Sequence, residues 1–232
     1  MPIIQSLIVG ILALFGIVIA QSWTTRRDYT KRRIDLAEEV LALFYEAEDA
    51  IRMIRSPFGY SDIGSRPKRE KETAEEAVAL DRTYVIQDKY QKREAVFISL
   101  RAKKHRFMAT FRGETKEPFE AIDKALNQIM SAYNILSVFY WPKLAEGKSG
   151  APIFVSEHHR EQFMKDMAKM EAILYGGDPN DEICQRIAEA IQRIEAVTDR
   201  AAKAYATGIQ DWIQRYKEFV DNSTREDADL LG

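Results

Sequence analysis

From Ile3 to Trp23 the chain reads I-I-Q-S-L-I-V-G-I-L-A-L-F-G-I-V-I-A-Q-S-W, and no charged side chain precedes Arg26. A soluble core helix places polar residues every third or fourth position. Here they fall only near the ends, at Gln5, Ser6 and Gln21. A helix crosses a hydrocarbon core with ~20 apolar residues, so residues 1–25 are predicted as a transmembrane anchor. Val18-Ile19-Ala20 resembles a signal-peptide cleavage site. A cleaved leader would need a basic start, and Met1 to Ser6 carries no Lys or Arg.

Beyond the anchor the apolar residues recur at helical period. Ile34, Ala37, Leu41, Phe44, Ile51 and Ile54 form a first stripe, stopped by Ser56-Pro57-Phe58-Gly59. Thr73-Ala74-Glu75-Glu76 has the form of a capping box. It opens a long second helix through Ala77, Leu80, Tyr84, Val96, Leu100, Phe107 and Phe111 to Gly113. A third helix is expected to begin at Pro118 and to carry Phe119, Ile122, Leu126, Ile129, Tyr133, Leu136 and Tyr140 to about Leu144. Ser156 is placed to cap a fourth, through Phe163, Met167 and Leu174, ended by Gly176-Gly177. Asp178-Pro179 opens a fifth, with Ile183, Ile187, Ile191, Ile194, Ala201, Tyr205, Trp212, Tyr216 and Phe219.

These elements predict an all-α protein: a transmembrane helix at residues 1–25, an up-down bundle of about five helices over 26–221, and a polar tail over 222–232 that frays. If every turn reverses the chain, the bends at Gly113 and Gly176 share the membrane-facing end. The connections Ser56–Glu72 and Glu146–Val155 then share the opposite tip. There Phe58, Tyr60, Ile153 and Phe154 make a candidate partner-binding surface, because aromatic residues in long connections are good anchors. Folding back to close the bundle is the plainer role for the same residues.

Charge sets the direction of the anchor. Arg26, Arg27, Lys31, Arg32 and Arg33 follow it directly. The positive-inside rule puts that flank, and everything after it, in the cytoplasm with the N-terminus outside. Trp23 stands where an interfacial aromatic belongs, and the cations suit anionic headgroups. Within the span Ser6, Gly10, Ala13 and Ala20 share one face, which would let two spans approach closely.

Composition narrows the function classes. Of 232 residues, 30% are charged, yet the net charge is -2, so no basic excess drives nucleic-acid binding. Cys184 is the only cysteine, which excludes an internal disulfide and a thiolate zinc site.

A-L-D-R-T-Y-V-I-Q-D-K-Y (79–90) and H-R-F-M-A-T-F-R-G-E-T-K-E-P-F-E-A-I (105–122) resemble an uncharacterised bacterial group of single-pass inner-membrane proteins with a helical cytoplasmic domain. The resemblance implies an inner-membrane location and carries no activity.

Candidate chemistry is sparse. Gly147-Lys148-Ser149 ends like a phosphate-binding loop, but Pro142 stands where its first glycine belongs. Arg101 and His105 resemble the pair of HEPN-type ribonucleases, with three intervening residues where that motif has four to six. Glu157, His158 and Glu161, beside His159, can share a helix face as half of a metal site. No Glu-x-x-His partner occurs on another helix. No cofactor is expected. The expected function is a membrane-anchored interaction module, a scaffold, sensor or effector that binds lipid, an unidentified protein and its own span. A hydrolase using His105 or His158/His159 and a homo-oligomeric membrane effector are the alternatives.

Overall fold

The computed structural model describes the backbone of residues 2–57, 66, 72–112, 115–142, 156–176 and 181–229. Side chains are described for the same residues except 2–13, 15, 19, 75, 76, 216 and 218–229. The candidate tip residues Phe58, Tyr60, Ile153 and Phe154, the loop Gly147-Lys148-Ser149, and the side chains of Ser6, Gly10 and Ala13 lie outside the described residues.

The chain is almost entirely helical: α1 (Pro2–Arg55), α2 (Ala74–Gln91), α3 (Glu94–Phe111), α4 (Lys116–Ile135), α5 (Glu157–Tyr175) and α6 (Glu182–Asp229). A π-helical turn, Leu136–Tyr140, continues α4. Among the described residues no helix is long and apolar enough to cross a membrane. The first half of the run Ile3–Trp23 falls among the side chains that are not described. Contacts divide the chain into two units, Val40–Ile194, and Met1–Glu39 with Glu195–Gly232.

In the unit Val40–Ile194, Phe44 of α1 meets Phe119 of α4 edge-on, with centroids 5.1 Å apart, and Phe107 of α3 meets the same ring at 5.7 Å. Lys89 Nζ of α2 donates to Ser56 O across 2.6 Å, just past the end of α1. The α2–α3 rod therefore runs antiparallel to α1. Going down α4 from Tyr140 to Glu117, its neighbours are Phe163 of α5, then Arg186 at Gln128, then Arg193 at Glu117. Hence α5 and α6 follow one another in the same direction, both antiparallel to α4. Phe44, Ile51, Ile54, Phe97, Phe107, Ile122, Ile129, Leu136, Leu174 and Ile194 are all but sealed from solvent. Each such side chain contributes about 1.5–3 kcal/mol by leaving water.

Two expectations need correcting. First, α5 and α6 run in the same direction instead of reversing. The ends of α5 and α6 are bound to a single side chain, Arg55, which receives the last turn of one and the first residue before the other. Gly176 therefore sits with the C-terminus of α1, not with the Gly113 bend, and α6 runs antiparallel to α1. Second, the long second helix breaks at Lys92-Arg93, where Arg93 N–H donates to Tyr90 O and Val96 N–H to Arg93 O, each spanning three residues. Tyr90 and Phe97 stack across the break at 6.3 Å. The buried face of α2 is Ala79, Val85 and Ile86, not the expected Ala77, Leu80 and Tyr84. The helix α6 is described to Asp229.

The unit Met1–Glu39 with Glu195–Gly232 is an antiparallel helix pair. Thr198 Oγ1 donates to Ala37 O across 3.5 Å, and Trp23 faces Trp212 with ring centroids 6.3 Å apart. Leu36, Ala37, Val197, Thr198 and Ala201 form its buried seam.

Candidate interaction surfaces

The α1 side of the helix pair lines up Trp23, Thr30 and Ala37 at seven-residue spacing, a coiled-coil repeat. Between Trp23 and Ala37 the covered positions are the polar Thr30 and Arg33, beside Ile34. The seam is thus apolar at its two ends and polar between them. Thr24, Thr25 and Thr30 hydroxyls each donate to the carbonyl four residues back, at 2.9, 2.9 and 3.0 Å. Their donors are thus satisfied within α1. Arg26, Arg27, Lys31 and Arg32 are exposed, while Arg33 is half-buried with its guanidinium carbon 5.9 Å from the centre of the Tyr29 ring. Leu14, Ile17 and Val18 are exposed in spite of their apolar side chains, as is Ala20, and Gly16 has open space where a Cβ would stand.

The α6 side of the pair behaves differently along its length. Its seam is buried at Val197, Thr198 and Ala201 and then opens, leaving Ile209, Trp212 and Ile213 at 37%, 44% and 42% exposure. Trp212 was expected in the bundle core with the rest of its stripe. Its place opposite Trp23 needed a pairing of the two ends of the chain that no local pattern encodes.

A second surface lies at the π-turn. An α-helix would carry the buried face from Leu136 to Tyr140. The π-turn inserts one residue, so the face passes instead to Trp141, which is buried and donates its indole N–H to Glu171 across 3.0 Å. Tyr140 is half-buried against Phe163. Val138 is 79% exposed, one turn from exposed Ile135, and Met164 of α5 is exposed as well. Both α2 and α5 pack on this turn. One long connection enters α2 and the other joins the end of α4 to α5, so the turn stands where they attach.

Arg55 makes the most enclosed polar cluster. It is 2% exposed, donates through Nε to Ile173 O at 3.1 Å, and pairs through Nη1 with Asp181 Oδ2 at 2.7 Å. Asp181 Oδ1 accepts from Cys184 N–H at 2.8 Å, which makes Asp181 a cap of α6, while the expected start at Asp178-Pro179 lies outside the described residues. Burial, and then the Asp181 carboxylate, push the Cys184 thiol above its usual range. A protonated, half-buried thiol is a poor nucleophile. The cluster is therefore a structural clasp: a cation at the C-terminal carbonyls of α5 and an anion at the N-terminus of α6 each complement a helix dipole. Arg55 and Asp181 were not singled out in the sequence, because only the fold brings them together.

The remaining candidates are separate. Ser156 caps α5 as expected, its hydroxyl accepting from His159 N–H at 3.2 Å. Glu157, His158 and Glu161 are exposed in the first turns, with Glu157 3.4 Å from Arg160. Among the described residues no group of three or more His, Cys, Asp or Glu could hold a metal ion. His105 is exposed on α3, and Arg101 is tied to Asp123 of α4 at 3.0 Å. Comparison with family models, curated proteins and solved structures gives no match.

Proposed function

We propose that the chain is a membrane-anchored helical interaction module. It is held by the span over residues 1–25, with its helical domain on the cytoplasmic side of a bacterial inner membrane. The observation that carries the proposal is the uncharged run Ile3–Trp23 followed by Arg26, Arg27, Lys31, Arg32 and Arg33. The exposed Leu14, Ile17 and Val18 support it, since a water-facing helix gains nothing from such residues. The exposed Val138, Ile135 and Met164 at the π-turn support a protein-docking role at the end where the two long connections attach. Self-association of spans through Ser6, Gly10, Ala13 and Ala20 belongs to the same proposal, supported by the open space at Gly16 and the exposed Ala20.

Alkaline carbonate washing of membranes tests the anchor. The full chain is expected in the pellet, and a chain without residues 1–25 in the supernatant. Full-length protein released by carbonate would overturn the proposal.

A further inference from the structure

Past the Trp23–Trp212 pair, α1 and α6 have incompatible chemistry. Towards its N-terminus α1 continues as the uncharged run, while α6 continues to Asp229 and carries Arg215, Lys217, Glu218 and Asp221 within the next turns. Charged side chains are expensive in hydrocarbon unless paired or lining water. If the run Ile3–Trp23 spans a bilayer, as proposed above, α6 cannot follow it there.

The same stretch of α6 nevertheless has a strongly two-sided sequence. Ile209, Trp212 and Ile213 lie on one face, and the sequence repeats the spacing with Tyr216, Phe219 and Val220. Gln210, Gln214, Lys217 and Asp221 fall on the other side. It is the face that α1 covers at Val197, Thr198 and Ala201, and it opens at Ile209, Trp212 and Ile213. Aromatic and aliphatic residues on one side, charges on the other and low net hydrophobicity mark a helix that lies in a membrane interface. Charge on the page agrees with a lipid occupant. The exposed Arg26, Arg27, Lys31 and Arg32 of α1 begin within one turn of Trp23, where an anionic surface would meet them.

We infer that α6 parts from α1 at the Trp23–Trp212 pair and lies along the membrane surface, with Ile209, Trp212 and Ile213 in the headgroup layer. Both ends of the chain then contact the same anionic lipid surface, one by crossing it and one by lying on it. This rests on the anchor reading and adds to it a second, peripheral lipid contact made by the last helix.

The test uses the full chain with Cys184→Ala, reconstituted in phosphatidylcholine–phosphatidylglycerol vesicles. An environment-sensitive fluorophore is attached at Ile213→Cys or, on the opposite face, at Gln214→Cys. Spin-labelled lipids with shallow labels are expected to quench position 213 several-fold more than position 214. Where cysteine replacement disturbs the fold, brominated-lipid quenching of the native tryptophans gives a second measurement. The quenched signal should then fall in Trp212→Phe relative to the unaltered chain. Carbonate-resistant protein with neither position quenched overturns the inference and leaves the anchor standing. Disulfide cross-linking between unlabelled Ile213→Cys chains would show the face covered by a second copy, which also overturns it. Release by carbonate removes the anchor, and this inference falls with it.

Discussion

Arg55 Nη1 donates to Asp181 Oδ2 across 2.7 Å, at the point where α1 ends and α6 begins. A guanidinium this enclosed depends on its partner, since an unpaired buried charge costs far more than the pair contributes. Asp181→Ala or Arg55→Ala is expected to lower the unfolding free energy of the full chain in mild detergent by about 3–5 kcal/mol. Arg55→Met with Asp181→Ala should recover much of that loss, because no buried charge remains. Urea unfolding of Arg55→Met, Asp181→Ala and the double variant that combines them measures the coupling. A coupling of zero would mean that the clasp holds nothing.

Gly176 tests the same cluster by shape. A Cβ there would land inside the contact shell of Arg55 Nη2, 2.7 Å from Ala172 O and 2.7 Å from Asp181 Oδ2. Gly176→Ala should cost about 1–3 kcal/mol by overpacking. The cost should shrink in the Arg55→Met background, where the obstructing guanidinium is gone, and the remainder is the contact with Ala172 O and Asp181 Oδ2. Equal losses in both backgrounds would place the clash elsewhere.

Lys89 gives the chain a pH dependence of definite sign. Burial, and then the charge of Arg93, lower its folded pKa below the ordinary lysine value of 10.5. Between the folded and unfolded values the unfolded chain binds more protons, so stability rises with pH across that window. The penalty is fully present below the folded value and gone above the unfolded one. Subtracting the unfolding free energy of Lys89→Met from that of the unaltered chain cancels the other titrating groups. The difference should grow more favourable as pH rises from neutrality towards 10.5. A flat difference would mean that folding leaves the Lys89 pKa unshifted.

The π-turn behaves as a one-residue insertion, and removing a residue should undo it. Deleting Val138, the most exposed residue of the turn, leaves Leu136 and the residue now numbered 141 at ordinary α-helical spacing. Stability is expected to change by less than about 1 kcal/mol, because the buried face keeps its register. Deleting Asn127, inside the regular part of α4, rotates every later core residue by about 100° and should prevent cooperative unfolding altogether. Thermal melts followed by circular dichroism separate the two. Equal damage from both deletions would contradict the register account.

Much of the helix layout was legible because local rules control it. Ser156 caps α5 and Gly176 ends it where the pattern placed them, and Phe119, Ile122, Leu126, Ile129, Tyr133 and Leu136 are buried in the predicted register of α4. The register failed past Leu136 because no residue in L-S-V-F-Y announces a π-turn. It failed in α2 because apolar residues surround that helix, Val78 outside and Ile86 inside, so periodicity could not pick a face. The direction of α6 failed because a glycine pair followed by Asp-Pro reads as a hairpin. The arginine that holds the chain straight there lies on another helix. At the interaction surfaces, Trp23 and the cations were legible from their place after the apolar run, and Trp212 was not.

The seam between α1 and α6 also fixes a schedule. Thr198 meets Ala37 across 161 residues, so α1 waits for α6 before that part of its stripe is covered. At about 5–20 residues per second the delay is about 10–30 s. Throughout it Leu36 and Ala37 are apolar surface on an unfinished protein. Under the proposed anchoring, early capture of residues 1–25 by a bilayer would hold nascent copies apart for that interval, a guard against aggregation.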